Sequence, residues 1–492
     1  MDMTETSGVC RIRKAAVVQT IAHISVRCEG VAGVLAVDAS AAVRVSEILN
    51  GEVRLAGRES VELTVSSDGG LKKVGGWAEV SDRAEVEGID PRTRAFAVCR
   101  VTDTDIVSVS GDNISLASVV EITVMTEETS VVPPVPAPSD GIYTDGESVR
   151  FSRLSARISG RAESGECERL PVTEVVCCNA GFASDVPEAA LDAVFVSGRF
   201  VLDGVGKTAE GNLTPFTAEI PVSCEIPAEG VRRGDVVYLR TGAVGVSESR
   251  SENGVTLSAS VELSGEAYCE FSASVVTDAF SPTHELELER TDVYGMLVRG
   301  SYSLTDRTEG SVELPEGDNA DKITAVTGAR ITALTAYAEN GKAVIEGAAA
   351  CCVVYSDAEA GRRGSCNAEL PFRITTDIDA ADGETPMTDG CVVSVSARPA
   401  RRGEITVSCT ICFKVLSAAD VHVSPVTAVK SAAEKPDRTG VLSMHSAFGG
   451  ETLWECSKSL SVSPDEVLAQ NRGLEFPLSK GEKVFVFRSA GR

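Results

Sequence analysis

The stretch NGVTLSASVELSG, residues 253–265, determines how the rest of the chain is interpreted. Apolar and polar residues alternate from Val255 to Leu263, which is the period of a strand with one buried face. Asn253-Gly254 stands directly before this run, and two-residue hairpin turns favour this dipeptide because both positions need a positive φ. The stretch therefore predicts an antiparallel strand that begins at a hairpin.

Related runs recur along the chain and predict a repeat. The segment ITVSCTICFKV (405–415) alternates like 255–265, and Asn50-Gly51 and Asn340-Gly341 are two further hairpin signals. The period of about 150 residues is far too long for a solenoid. The other matching segments are 158–182 with 304–331, 193–204 with 342–357, and 214–222 with 370–378. A degenerate first copy is predicted from the segments 51–68, 75–82 and 114–126.

Two segments rich in breaker residues are predicted linkers. VVPPVPAPSD (131–140) carries clustered prolines, which favour extended geometry and cannot extend a sheet. SPVTAVKSAAEKPDRTG (424–440) mixes small, charged and breaker residues. The chain is therefore predicted to be mainly β, with three antiparallel, sandwich-like repeat domains followed by a small module. The predicted domains are 1–130, 141–285, 286–423 and 441–492.

The last of these domains carries two helix start signals. Thr452 is followed three residues later by Glu455, so that each can satisfy an amide of the other in a capping box. Ser463 and Glu466 repeat this spacing, with a proline at the first helical position. Short alternating runs stand on both sides of the pair, so the predicted order is strand, helix, helix, strand.

The segments 450–454 (GETLW) and 462–471 (VSPDEVLAQN) resemble the LysM module. The resemblance implies a two-stranded sheet with both helices on one face, and a shallow groove between the loops 449–452 and 471–476. In the family this groove holds N-acetylglucosamine chains or a protein partner. The family's first-strand aromatic residue is replaced by His445 or is absent. The side chains that the resemblance places near the groove are Gly450, Glu451, Thr452, Trp454, Asn471, Arg472 and Phe476.

Trp454 has two interpretations. It follows Leu453 by one residue and so points away from the main apolar face of its helix, where it is available to a partner. Alternatively, it covers a flank of a module whose core is small. The sequence favours neither.

The repeats resemble the SPOCS domain of endospore-forming bacteria, through Leu170-Pro171, Leu314-Pro315, the Pro-Phe pairs and DAFSP at 278–282. Together with a C-terminal LysM module they resemble the SipL family of spore coat morphogenetic proteins. This resemblance implies an adaptor in the mother-cell cytoplasm, at the forespore surface or spore coat, which docks through its LysM module onto the ATPase of the coat base layer. The alternative is a peptidoglycan-binding protein of the cell wall or spore cortex, which needs an export route.

Composition excludes several classes of partner. The chain has 492 residues, 43% hydrophobic and 24% charged, which is typical of a globular protein of several domains. Its formal net charge of −26 opposes binding to nucleic acid and to anionic lipid. No run approaches the length of about 18 apolar residues that a membrane span needs. No secretory signal is visible, so the 15 cysteines are expected to be free thiols in a reducing cytoplasm.

No constellation of residues predicts catalysis, a metal or a cofactor. The four histidines, at 23, 284, 422 and 445, have no His-x-x-x-His or Glu-x-x-His spacing. Cys409-x-x-Cys412 falls inside an alternating strand, and Cys177-Cys178 and Cys351-Cys352 are expected to point to opposite faces of their strands. DGVGKT (203–208) lacks the spacing of a phosphate loop. The chain is therefore predicted not to be an enzyme.

Overall fold

The mainly β prediction is confirmed by a computed structural model of the chain. Within the residues that it describes there are 23 strands and two short helices, and every pair of neighbouring strands is antiparallel. No helix in this part of the chain is long and apolar enough to cross a membrane. The described residues are 8–67, 70–136, 140–165, 169–251, 254–359, 361–401, 403–436 and 441–488.

The first unit consists of two three-stranded sheets around one core. Its strands are β1 (Gly8–Arg27), β2 (Val31–Leu49), β3 (Glu52–Ser67), β4 (Gly70–Glu85), β5 (Arg94–Ser110) and β6 (Asn113–Val131). One sheet has the order β1-β6-β5 and the other β2-β3-β4. Ile24, Leu55 and Ile122, which come from both sheets, are buried in one apolar cluster.

The second unit has the same arrangement with one extra short strand. Its strands are β7 (Tyr143–Glu163), β8 (Glu174–Ser184), β9 (Glu188–Ala190), β10 (Ala193–Lys207), β11 (Leu213–Pro227), β12 (Val236–Ser251) and β13 (Gly254–Phe280). The sheets are β7-β13-β12 and β8-β10-β11, with β9 beside β10. They share a core that includes Phe182, Phe200 and Leu257. Strand β14 (His284–Arg290) follows this unit.

The third unit repeats the order of the first. Its strands are β15 (Val293–Glu313), β16 (Lys322–Glu339), β17 (Lys342–Asp357), β18 (Arg362–Thr376), β19 (Met387–Pro399) and β20 (Glu404–Val423). The sheets are β15-β20-β19 and β16-β17-β18, and Ile345, Phe372 and Phe413 lie in their common core. Strand β21 (Val426–Glu434) follows.

The segments matched in the sequence occupy equivalent strands of the units. Residues 193–204 and 342–357 lie in β10 and β17, the central strands of their sheets, and 255–265 and 405–415 lie in the last strands β13 and β20. In each unit the last strand pairs with both the first and the penultimate strand. The sequence repeat therefore corresponds to a repeated strand order.

Two of the three hairpin signals are confirmed. Asn50-Gly51 connects β2 to β3, and Asn340-Gly341 connects β16 to β17. The φ values of Asn340 and Gly341 are 54° and 72°, which is the left-handed geometry that a tight hairpin requires. Asn253 lies outside the described residues.

The Pro-Phe pairs have a structural role in the second and third units. Phe216 pairs across the strands with Gly204, and Phe372 pairs with Gly347. A Cβ on Gly204 would lie 2.5 Å from the Phe216 ring, and one on Gly347 would lie 2.7 Å from the Phe372 ring. Each aromatic ring therefore covers a position where only glycine leaves enough space.

The prediction that residues 424–440 form a linker is wrong for most of that segment. Residues 426–434 form β21, which pairs with β14, and the Lys435 amide donates to the carbonyl of Thr283 (2.7 Å). This ribbon of two strands is largely exposed; β14 alternates glutamate with leucine, whereas β21 carries little of the apolar alternation that marks the other strands. The predicted boundary at 285/286 also falls inside β14. Residues 437–440 lie outside the described residues, as do 137–139 of the other predicted linker, where 132–136 form no strand.

The cysteines can be compared with their predicted positions in the part of the chain that is described. Its 14 cysteines are all free, and Cys167 lies outside it. Cys177 and Cys352 share an apolar cluster with Ala36 of the first unit, so they lie where the three units meet. Their neighbours Cys178 and Cys351 face the cores of their own units, on the opposite side of each strand.

The side chains of Cys409 and Cys412 also lie in different apolar clusters. Cys409 is buried in the core of the third unit, whereas Cys412 packs against Ala183 and Val201 of the second unit. Since the two thiols point to opposite faces of β20, they do not form a chelating pair. Burial within apolar clusters is the structural role that the sequence predicted.

The terminal module has the predicted order of elements. It consists of β22 (Leu442–Ser446), α1 (Leu453–Leu460), α2 (Pro464–Gln470) and β23 (Lys483–Phe487). The two strands pair with each other, Leu442 opposite Phe487 and Ser446 opposite Lys483. Cys456, Val467 and Val484, from both helices and the sheet, lie in one small core.

Candidate functional site

Both predicted capping boxes are formed in the terminal module. The Thr452 hydroxyl accepts the Glu455 amide at 3.2 Å, and the Glu455 carboxylate accepts the Thr452 amide at 2.8 Å. Ser463 and Glu466 make the same two hydrogen bonds, at 3.1 and 3.3 Å. The hydrogen bonds that the Thr452 amide and hydroxyl donate to the Glu455 carboxylate lower the pKa of Glu455. Thr452, one of the predicted binding residues, is therefore engaged as a helix cap.

The loop before α1 is fastened to the segment that precedes β23. The Gly450 amide donates to the Leu478 carbonyl (2.7 Å), and the Leu478 amide donates to the Glu451 carbonyl (2.9 Å). Gly450 has a φ of 83°, so a side chain at this position would strain the backbone. The Glu451 carboxylate accepts the Phe448 amide (3.1 Å) and lies 3.0 Å from Nε2 of His445.

Asn471 uses its side chain to cover the open edge of β23. Its Nδ2 donates to the Phe485 carbonyl (2.7 Å), and its Oδ1 accepts the Phe485 amide (2.8 Å). The Gln470 amide makes the equivalent two bonds to the backbone of Phe487. Two adjacent side chains therefore replace a missing neighbouring strand. Asn471 is thus part of the fold.

The remaining residues of the second loop differ in exposure. Arg472 is exposed, and Phe476 is half-buried against the core of the module. Gly450 and Glu451 contact the segment before β23, Asn471 contacts β23 itself, and Arg472 faces solvent. The predicted binding residues therefore occupy separate parts of the module's surface and core.

Trp454 contacts the second unit. Its ring meets that of Phe280 edge to face at a centroid distance of 4.9 Å, and its Nε1 donates to Asp278 (3.0 Å). Lys458, one turn further along α1, donates to the same carboxylate oxygen. The residue is half-buried, and both of its contacts are to the DAFSP stretch at 278–282. Trp454 thus connects the module to a repeat unit, a contact that neither interpretation of the sequence anticipated.

The outward face of the β22–β23 sheet is apolar. Leu442 and Met444 on β22 are 63% and 57% exposed, and Phe487 and Phe485 opposite them are 53% and 43% exposed. Phe448, in the loop after β22, is 81% exposed. We call these five residues the apolar face. Alternation along both strands could have identified this face, since the inward residues of β23, Val484 and Val486, are fully buried.

A cavity of about 800 Å³ lies where the three units meet. Charged side chains line it, and several of them are paired. Arg240 of the second unit makes a bidentate ion pair with Glu266, with N–O distances of 2.6 and 3.0 Å. Arg11 of the first unit pairs with Asp420 of the third (2.8 Å), and Asp389 accepts the Thr241 amide (3.0 Å). The Arg11–Asp420 pair connects the first unit to the third, and the Thr241–Asp389 bond connects the second unit to the third.

Comparison with known proteins identifies no relative of this chain. The sequence matches no family model and no curated protein, and the structure matches no solved structure. The resemblance to the SPOCS domain, the LysM module and the SipL family therefore stays a prediction, based on the motifs quoted above.

Proposed function

We propose that this chain is a non-enzymatic adaptor of endospore coat assembly. In this proposal the three units are SPOCS-like β-sandwich repeats, and the terminal module is a LysM module that docks on the coat base-layer ATPase. Docking takes place in the mother-cell cytoplasm, at the forespore surface. The observation that carries the proposal is the apolar face of the terminal module.

The character of this face favours a protein partner. In a chain with a net charge of −26, five large apolar side chains stand exposed on or beside one small sheet. Contiguous exposed apolar patches mark interaction sites, and phenylalanine and methionine are enriched in protein interfaces. A site for polar sugar chains needs convergent hydrogen-bonding groups, whereas Asn471 and Thr452 already use theirs within the module.

The repeat units support the same proposal. One strand order recurs three times, and the Gly-Phe pairs recur in the second and third units. Such a series of similar domains suits a scaffold that presents one docking module.

The test is co-purification of the full-length chain with the coat ATPase. Met444→Ser and Phe485→Ser together should weaken binding by about 30-fold or more, since hot-spot side chains contribute about 2 kcal/mol or more. Leu191→Ser is the matched control, because Leu191 is 77% exposed but lies in the second unit. Equal binding by the double variant and the control would contradict docking through the apolar face.

Trp454 gives a second arm of this test. If its ring contacts the ATPase directly, Trp454→Ala weakens binding by about 2 kcal/mol, and Asp278→Ala, which releases the ring from the second unit, does not. If every variant binds the ATPase normally and the full-length chain sediments with peptidoglycan, the adaptor proposal fails and the wall-binding alternative replaces it.

A further inference from the structure

Three side chains with metal-binding atoms converge inside the terminal module. His445 lies on β22, Glu451 in the loop before α1, and Cys456 on α1. One nitrogen, one carboxylate oxygen and the sulfur of these residues all lie within 4.8 Å of one another. In the described part of the chain, this is the single group of at least three His, Cys, Asp or Glu residues that meets this distance.

Each of the three is held in place by its element. His445 lies on the inward side of β22, opposite the fully buried Val484. The carboxylate of Glu451 is fixed by the Phe448 amide. Cys456 is fully buried, and its amide closes the first turn of α1 by donating to the Thr452 carbonyl (3.1 Å). The group is therefore arranged by a strand, a loop and a capped helix.

We propose that His445, Glu451 and Cys456 form a binding site for a zinc-like divalent cation. Imidazole nitrogen, carboxylate oxygen and thiolate sulfur are the three ligand types that zinc takes in proteins, and three protein ligands leave a fourth position for water. Ligand atoms around a tetrahedral zinc lie about 3.3–3.8 Å from one another. His445 Nε2 and the Glu451 carboxylate are 3.0 Å apart and have to separate by a few tenths of an ångström, and the sulfur, at most 4.8 Å from the other two ligand atoms, has to approach by roughly 1 Å.

Charge and access agree with such an ion. The two anionic ligands, Glu451 and the Cys456 thiolate, balance the charge of a divalent cation. The side chains of His445 and Glu451 are 15% and 20% exposed, so the group is not sealed from solvent. Without a cation, burial above all, and then the charges of Glu451 and Glu455, raise the pKa of Cys456 to about 11.

Binding of the cation releases protons. The Cys456 sulfur gives up its proton when it ligates, because a nearby divalent charge outweighs the effect of burial. Nε2 of His445, which faces Glu451, binds the ion only without a proton, so any proton on this nitrogen is lost to Nδ1 or to solvent. The hydrogen-bonded contact between His445 and Glu451 is then replaced by two bonds to the ion.

The experiment is a cobalt titration of the reduced full-length chain. Co²⁺ reports directly on sulfur ligation through its thiolate charge-transfer absorption, and Zn²⁺ should then displace it. We expect one cobalt ion per chain with this absorption, and its loss in Cys456→Ala. His445→Gln should weaken binding by about tenfold or more, because even the loss of an outer partner costs a zinc site this much. Cys224→Ala, which removes a half-buried thiol of the second unit, should bind as the unchanged chain does.

The outcome is independent of docking, because the purified chain is tested alone. Circular dichroism and thermal unfolding establish that each variant is folded, and if Cys456→Ala loses the module's structure, His445→Gln decides the test. No charge-transfer absorption in the unchanged chain overturns the proposal. So does an absorption that both Cys456→Ala and His445→Gln retain, since another of the 15 cysteines would then be the ligand.

Discussion

Twenty-two buried apolar residues form the core of the third unit, whereas eight form the core of the terminal module. The module compensates with hydrogen bonds from side chains to its own backbone: two capping boxes, and the edge of β23 covered by Gln470 and Asn471. Apolar burial thus dominates in the units, and local polar contacts carry a larger share in the module. Single substitutions should therefore lower the free energy of unfolding most in the core of a unit. In the module the loss should be smaller and confined to the element that carries the substitution.

The largest expected effect is that of Phe372→Ala. Phe372 is buried against Gly347 and Phe413, so its loss leaves a cavity and should lower the free energy of unfolding of the third unit by about 3–5 kcal/mol. Phe448→Ala is the matched control, because Phe448 is 81% exposed. Denaturant unfolding, followed by hydrogen exchange in residues 342–357, measures the loss of stability in both variants. Comparable losses in the two variants would contradict the comparison.

The next effect concerns the contact between module and second unit. Asp278→Ala removes the acceptor of Trp454 and Lys458 and should weaken this contact by about 1–2 kcal/mol. In a Trp77→Phe background Trp454 is the single tryptophan, and its fluorescence emission should shift to longer wavelength. Glu270→Ala, at an exposed ion pair of the same unit, should leave the emission unchanged. An unshifted emission in Asp278→Ala would show that the ring does not rely on this carboxylate.

The same carboxylate gives this contact a pH dependence. Burial raises the pKa of Asp278, but the hydrogen bonds from Lys458 and Trp454 outweigh burial, and the pKa is lowered. The contact therefore stabilises the chain at neutral pH and is lost as the pH falls through the lowered pKa. The emission of Trp454 should shift in acid as it does in Asp278→Ala.

A smaller effect is expected at the first helix cap. Thr452→Ala removes the acceptor of the Glu455 amide and should destabilise α1 by about 1 kcal/mol, while Thr452→Ser keeps the cap. Hydrogen exchange in 453–460 should accelerate in the alanine variant, with the three units unchanged. Faster exchange throughout the chain would show that module and units unfold together.

A pH dependence of opposite sign is expected at the first unit. Burial, followed by the charge of Glu62, raises the pKa of Asp38 to about 6. A raised carboxyl pKa contributes stability at acid pH that is lost as the pH rises from about 3.9 to about 6. Asp38→Asn should remove this dependence, and thermal unfolding across this pH range measures it. Parallel curves for both chains would refute the assignment to Asp38.

Much of the fold could be predicted from the sequence because its signals are local. Alternation located strands such as 255–265 and 405–415, and Asn340-Gly341 located a hairpin through its need for positive φ. Thr452 and Ser463 located both helices, since a capping box involves residues only three positions apart.

The features that sequence analysis missed depend on distant partners. β21 is a strand because it pairs with β14, which lies far away in the chain, and β21 is not apolar enough to show alternation by itself. Trp454 meets Asp278 only once the module is placed beside the second unit. His445, Glu451 and Cys456 come from three different kinds of element, so no periodic spacing connects them.

The pairing of β14 with β21 has a mechanical consequence. The chain enters the third unit after β14 and leaves it before β21, and His284 pairs with Glu434 at the ribbon's far end. Tension between the second unit and the terminal module therefore acts across the contact of Trp454 with Asp278 and Phe280 and across the ribbon, before it reaches the backbone of the third unit. Because the force acts at the end where His284 pairs with Glu434, the backbone hydrogen bonds of the ribbon break one after another from that end. Only after it has opened does the third unit bear tension.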